Sequence, residues 1–385
     1  LRLHKSNQSK KIKEGGIMQF QYKVGFLGIP DSSAVHVDVP GGEDSDSVGL
    51  YSLARDVPWN RETISALKAF GFNVIQVNLA WGTRPGDDPL NLEDLVGLPQ
   101  RFADEHPQVV PLRCRCGAEA LERRCATIKK RIQLVKQAGM KTLFHFGAPY
   151  NAHARYGDAP PNCISEEATL RRYELLIDAL AKSNYNIDDL LIYTYDQDAW
   201  LCNEFGPCSR CSGVPLHKRL VPFLERISSR WLLHNPEGRV WWEPWELSAG
   251  QSIECIQRIA PNGFGLCIHS NIGEVMASYP VDRWFRNICR VADERGIPVI
   301  GEHWLGACSE EVEPFYNLPF PGLTYKAVSE IAEVRGIRGI KEYFGLNTLE
   351  EDAQLRMSSI LFQHPLISED EAMAICAEPY GSASS

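Results

Sequence analysis

The chain has 385 residues, 44% of them hydrophobic and 23% charged, with a formal net charge of −9. That composition supplies one large core, and the acidic balance speaks against a nucleic-acid groove or a surface for anionic membranes. No apolar run approaches the roughly 18 residues of a spanning helix.

Residues 1–16 carry Arg2, Lys5, Lys10, Lys11 and Lys13 without the apolar stretch of a secretory signal. Residues 1–17 are therefore expected to form a solvated tail or a vector-derived extension, and 18–47 a lead-in. The twelve cysteines are unevenly spread. Cys255, Cys267, Cys289 and Cys376 sit in apolar contexts and read as small core residues. A disulfide framework fits less well than a cytoplasmic location, because the core is large and no export signal is seen.

Residues 48–53 make a plausible first strand. Asn60 then caps a helix through Phe70 that ends at Gly71. A second strand is expected over 72–79, opening into Ala80-Trp81-Gly82. An excursion from Arg84 to about Cys125 follows, long enough to be a functional loop or a small insertion. A helix over 127–137 leads to a third strand, 141–146, which carries His145. A helix over 166–182 feeds the fourth, 189–195, followed by Asp196-Gln197-Asp198-Ala199-Trp200. After a helix over 217–233, the fifth strand (239–242) ends at Glu243-Pro244-Trp245-Glu246. The sixth (263–268) ends at His269-Ser270-Asn271 and the seventh (296–301) at Glu302-His303-Trp304. The eighth (336–340) ends at Lys341-Glu342, and the run 350–362 closes the series.

Eight strands alternating with helices imply parallel pairing and right-handed crossovers. A count of eight favours a closed (β/α)8 TIM barrel over a doubly wound sheet. The missing Gly-x-Gly-x-x-Gly after the first strand points the same way. The predicted organisation is an α/β barrel over 48–362 with a long, Cys-containing loop after the second strand. A short C-terminal helical extension over 363–385 completes it.

In such barrels the reacting groups lie at the carboxyl ends of the strands. Those positions here are rich in acids, imidazoles and indoles: Trp81, His145, Asp196, Asp198, Trp200, Glu243, Trp245, Glu246, His269, Asn271, Glu302, His303, Trp304, Lys341 and Glu342. Cleaving a glycosidic bond needs one protonated carboxyl and one ionised carboxylate, with flat aromatic faces and hydrogen-bonding groups to hold the sugar. Trp81, His145, Trp200, Trp245, His269, Asn271, His303, Trp304 and Glu342 are the expected substrate contacts.

A second constellation lies just past the fourth strand. Cys202, Cys208 and Cys211 share one loop, and the last two have zinc-knuckle spacing. Cys163, on the preceding loop, is the first choice for a fourth ligand, with Cys114 and Cys116 as rivals. A structural zinc with no catalytic cofactor is expected.

The acid after the fourth strand and the Gly-Glu-His-Trp run after the seventh resemble the (β/α)8 glycoside hydrolases. The Cys-rich loop loosely resembles those related to α-glucuronidases and β-hexosaminidases. The resemblance implies an acid/base after strand four, Asp196 or Asp198, and Glu302 as nucleophile. The usual Glu preceded by Asn is absent, since the text is Tyr195-Asp196-Gln197-Asp198. In the second group Glu243 or Glu246 competes with Glu302. Two other readings stand beside a glycosidase with a carbohydrate substrate. One is a metal-dependent barrel hydrolase or isomerase using His145, His153, His269 and His303. The other is a non-catalytic carbohydrate-binding barrel.

Overall fold

The computed structural model describes residues 19–27, 58–78, 92–109, 117–150, 162–194, 199, 201–245, 247–270, 281–304, 320–344, 349 and 352–381. Eight strands close into one parallel barrel in chain order. They are β1 (Tyr22–Leu27), β2 (Val74–Gln76), β3 (Lys141–Gly147), β4 (Asp189–Thr194), β5 (Val240–Pro244), β6 (Phe264–His269), β7 (Val299–Trp304) and β8 (Ile337–Phe344). Closure is the β1–β8 pairing, in register from Tyr22 with Gly339 to Leu27 with Phe344.

The helices are α1 (Arg61–Ala69), α2 (Leu92–Leu95), α3 (Gln100–Glu105), α4 (Gly117–Gln137), α5 (Glu167–Lys182), α6 (Leu216–His234), α7 (Ala249–Ile256), α8 (Arg283–Glu294), α9 (Pro321–Ala332), α10 (Ala353–Gln363) and α11 (Glu369–Ala377). Side-chain caps set several starts, because the first turn of a helix leaves backbone N–H groups without partners. Asn60 accepts from Thr63 N–H, Asp282 from Phe285 N–H, and Ser248 with Gln251 forms a reciprocal capping box.

The alternation of strand side chains builds two cores. Phe144, Phe146, Leu190, Ile192, Trp242, Leu266 and Ile268 point outward into the layer shared with the helices. Val24, Val74, Leu143, Leu191, Trp241, Cys267 and Ile300 point inward, with Tyr22 packed against them, and fill the lower barrel. Two glycines allow close approaches in that floor. A Cβ on Gly265 would lie 2.3 Å from Trp241, and one on Gly339 would lie 2.5 Å from the Tyr22 carbonyl. On the outside, Arg226 bridges Glu167 and Glu174, while Arg230 and His234 share Asp178, so charged groups lace α5 to α6.

The first strand is Tyr22–Leu27, inside the segment expected to be a lead-in; residues 48–53 lie outside those described. Lys23 and Gly25 disguise it by breaking the apolar run. Yet only the alternate positions, Val24 and Phe26, need to be apolar on the inward side. Lys23 lays its ammonium over the Phe362 ring on the other face, 5.7 Å from the centroid. Phe362 also meets Phe72 edge-on at 5.4 Å, so α10 seals the barrel beside β1 and β2. The excursion after β2 contains α2 and α3, and α4 begins ten residues earlier than expected, at Gly117 rather than 127, taking Cys125 into a helix. The C-terminal segment forms α11, which buries Ala372 and Cys376; Tyr325 Oη of α9 donates to Ile367 O at 2.8 Å in the preceding turn.

Candidate active site

Strands β5, β7 and β8 run further than their apolar text suggests, through Pro244, Trp304 and Phe344. Residues expected on loops therefore obey strand alternation. One inward step beyond the apolar floor, each strand presents its next side chain: Phe26, Gln76, His145, Tyr193, Glu243, His269, Glu302 and Lys341. All are buried apart from His269, whose side chain keeps 20% exposure. Six of these eight are polar or charged and sit toward the carboxyl ends, where barrels do their chemistry.

Lys341 is the hub. Its Nζ lies 2.9 Å from Glu302 Oε1 and 3.6 Å from Glu243 Oε1. His269 spans the same two acids, with Nδ1 3.0 Å from Glu302 Oε2 and Nε2 3.6 Å from Glu243 Oε1. His145 Nε2 reaches Glu243 Oε2 at 3.2 Å. The His145 backbone is held by Asn78, two residues past β2: its N–H donates to Asn78 Oδ1 at 2.9 Å, and Asn78 Nδ2 donates to its carbonyl at 2.8 Å. Trp245, half-buried just past β5, meets the His269 ring edge-on at 3.7 Å between centroids.

Two carboxyls this close, with one ammonium between them, do not both ionise. Burial pushes the Glu243 carboxyl well above the ordinary 4.5, and the negative charge of Glu302 adds to the rise, against a smaller pull from Lys341. Burial would also raise Glu302, but the Lys341 ammonium, then His269, hold it well below that value. Burial lowers His269, so the ring is neutral near pH 7, with Nδ1 3.0 Å from Glu302. Lys341 stays protonated: burial opposes its charge, and the two acids outweigh that. The cluster thus favours the proton on Glu243 and the negative charge on Glu302, beside the Lys341 ammonium. Glu243, Cys267 and Glu302 bring three potential metal donors within 4.8 Å of one another, but the Lys341 ammonium already supplies the cation between the acids.

Of the residues read from the sequence, the structure brings His145, Glu243, His269 and Glu302 together, with Trp245 at their edge. His303 and Glu342 do not join them. They occupy the outward positions of β7 and β8, where His303 Nδ1 lies 3.7 Å from Glu342 Oε1 and Ser358 Oγ of α10 donates to Glu342 Oε1 at 2.7 Å. Strand parity, with β7 and β8 continuing through them, turns these two away from the interior cluster. Trp304 lies in β7, with its side chain outside the description. Trp81, Asp196, Asp198, Trp200, Glu246 and Asn271 lie outside the described residues, as do Cys114, Cys116 and His153. Cys163, Cys202, Cys208 and Cys211 are buried together, their sulfurs within 4.8 Å of one another. Sequence reasoning misses Tyr193, and it places Lys341 at a strand end but prefers Glu342 as the substrate contact. A lysine two residues past an inward glycine, Gly339, is the signal available for it.

These features define a closed (β/α)8 barrel with a buried acid pair at the carboxyl ends of its strands. No protein-family model and no curated protein matches the chain. Among solved structures it resembles a GH138 enzyme targeting pectin rhamnogalacturonan II, with a TM-score of 0.58 at 12% identity. That likeness covers 94% of this chain and 42% of the other, so the chain spans under half the length of that protein. A GH5-4 broad-specificity endoglucanase from an uncultured bacterium aligns at 13% identity and TM-score 0.47, covering 95% of each chain. A GH5 lichenase from Caldicellulosiruptor sp. F32 aligns at 12% and 0.49, covering 89% and 92%. The structural neighbours are glycoside hydrolases, and the first of these likenesses shows that the fold is shared.

Proposed function

We propose that the chain is a glycoside hydrolase in which Glu243 is the general acid and Glu302 the nucleophile. The observation that carries this reading is a pair of buried carboxyls sharing one ammonium, Lys341 Nζ lying 2.9 Å from Glu302 and 3.6 Å from Glu243, with the acidity of the first raised and that of the second lowered. Glycosidic cleavage asks for that division of labour. Glu243 gives its proton to the departing glycosidic oxygen while Glu302 attacks the anomeric carbon. Glu243, now ionised, then takes a proton from the water that releases the sugar. Donor oxygens within 4.8 Å of each other suit direct attack, because inverting enzymes separate their carboxyls by about 6.5–9.5 Å to admit a water. Trp245 and the partly exposed His269 mark the side from which a sugar approaches. The barrel it shares with a GH138 enzyme supports a carbohydrate substrate.

The test is sugar release across aryl glycosides and plant, algal and host oligosaccharides, for wild type, Glu302→Gln and Glu243→Gln, with Asp196→Asn and Asp198→Asn beside them. Loss in Glu302→Gln on every substrate, with Glu243→Gln spared on aryl leaving groups that need no proton, is the expected pattern. Full activity in both Glu variants would overturn the assignment. Sparing confined to an Asp variant would move the acid to the strand-four rim.

A further inference from the structure

Between Leu201 and Leu216 the chain makes a loop with almost nothing to fold around. From Cys202 to Val214 the buried side chains are Cys202, Cys208 and Cys211, while Phe205 is 87% exposed at the outer turn. These three thiols meet Cys163, and the four form a buried cluster with no other apolar member. A loop this long without a hydrophobic core needs some other staple.

We propose that Cys163, Cys202, Cys208 and Cys211 bind a structural zinc ion that fastens the strand-four rim loop to the segment leading into α5. Zinc–sulfur bonds of about 2.3 Å at tetrahedral angles put neighbouring sulfurs about 3.8 Å apart. Cys163 Sγ lies 3.8 Å from Cys208 Sγ and 3.3 Å from Cys211 Sγ, close to that spacing and well outside a disulfide bond of about 2.0 Å. The backbone is already shaped as a knuckle, with Cys211 N–H and Ser212 N–H both donating to Cys208 O, at 3.0 and 2.9 Å. Binding releases the thiol protons and leaves a doubly negative tetrathiolate. Arg219 of α6, itself buried, is positioned to offset it: Nη1 donates to Cys202 O at 2.8 Å and Nε to Val214 O at 3.0 Å, on both sides of the loop. Ser165 Oγ adds a contact to Cys211 Sγ at 3.4 Å. With four thiolates and no open position, the ion would brace the loop and take no part in catalysis.

The proposal is independent of the hydrolase reading, since metal content is measured without any sugar. Full-length chain purified under reducing conditions without chelator is expected to carry about one zinc per chain by elemental analysis. Cobalt exchanged into the site should show the visible bands of tetrahedral thiolate coordination. Cys208→Ser should lose both signals, and Cys125→Ser, a cysteine on α4 outside the cluster, should keep them. If Cys208→Ser does not fold, thiol titration of the wild type decides: four thiols protected until a strong chelator is added supports the site. Four freely reactive thiols, two disulfides, or iron in place of zinc would overturn it.

Discussion

Glu302 and Lys341 are register partners on β7 and β8, with the ammonium 2.9 Å from the carboxylate. Because both strands turn these positions inward, the barrel interior holds an ion pair rather than a lone acid. Glu243 sits beside that pair as a third, uncharged member, and this asymmetry distinguishes the two acids.

Exchanging either acid for its amide should therefore have different consequences for the charge balance. In Glu302→Gln, Lys341 loses its nearer partner and Glu243 gives up its proton to replace it. The fold is expected to persist while turnover falls by about 10⁴-fold or more, since the nucleophile and the proton donor are lost together. Circular dichroism and thermal melts beside the rate measurement check both halves.

Removing the cation should be harsher. Lys341→Met leaves Glu302 buried with no ammonium beside it, a class of change that costs about 3–5 kcal/mol. The melting temperature should drop more than in Glu302→Gln, and the Glu302 carboxyl should rise toward or above its ordinary 4.5. The acid limb of any remaining activity would move to higher pH. An unmoved limb would show that Lys341 does not set the ionisation of Glu302.

The wild-type pH profile should be bell-shaped and broad. Activity requires Glu302 ionised, which its depressed value allows down to below 4.5. It also requires Glu243 protonated, which its raised value sustains well above 4.5. Stability carries both signs. The contribution of Glu302 is present above 4.5 and is lost as the pH falls through its lower folded value; that of Glu243 is present below 4.5 and is lost as the pH rises through its higher one. The two limbs belong to the coupled pair, so Glu243→Gln should flatten the basic limb while it lowers the rate. Initial rates between about pH 3 and 9, with melts over the same range, test this.

Glu342→Ala should separate structure from catalysis. Its side chain accepts from Ser358 on α10, away from the interior cluster. Leaving that buried hydroxyl unpaired costs about 1–3 kcal/mol, so the melting temperature should fall while KM on any identified substrate stays unchanged. A raised KM at full stability would bring Glu342 back to the substrate.

The sequence by itself determined the architecture and the ends of the strands that matter. Seven of the eight predicted runs coincide with β2 to β8, and their spacing by helical text already implies a parallel closed barrel, because each helix needs a sheet face to cover. The cysteine spacing likewise singles out Cys208 and Cys211 without any knowledge of their neighbours in space. Tyr22–Leu27 escaped because a strand lining a barrel keeps every second residue apolar on its inward side, and Lys23 can lie along its outer face. The tertiary structure alone decided which rim residues share a site. His303 and Glu342 differ from Glu302 and Lys341 by one position in the chain, and the text alone makes His303 and Glu342 substrate contacts while giving Lys341 no role. Extending β7 and β8 through them imposes a two-residue alternation, which turns Glu302 and Lys341 into the barrel and His303 and Glu342 out of it, Glu342 onto Ser358 of α10. The opposite shifts of Glu243 and Glu302 were equally out of reach, since they arise from burial and from Lys341 lying closer to one carboxylate than to the other.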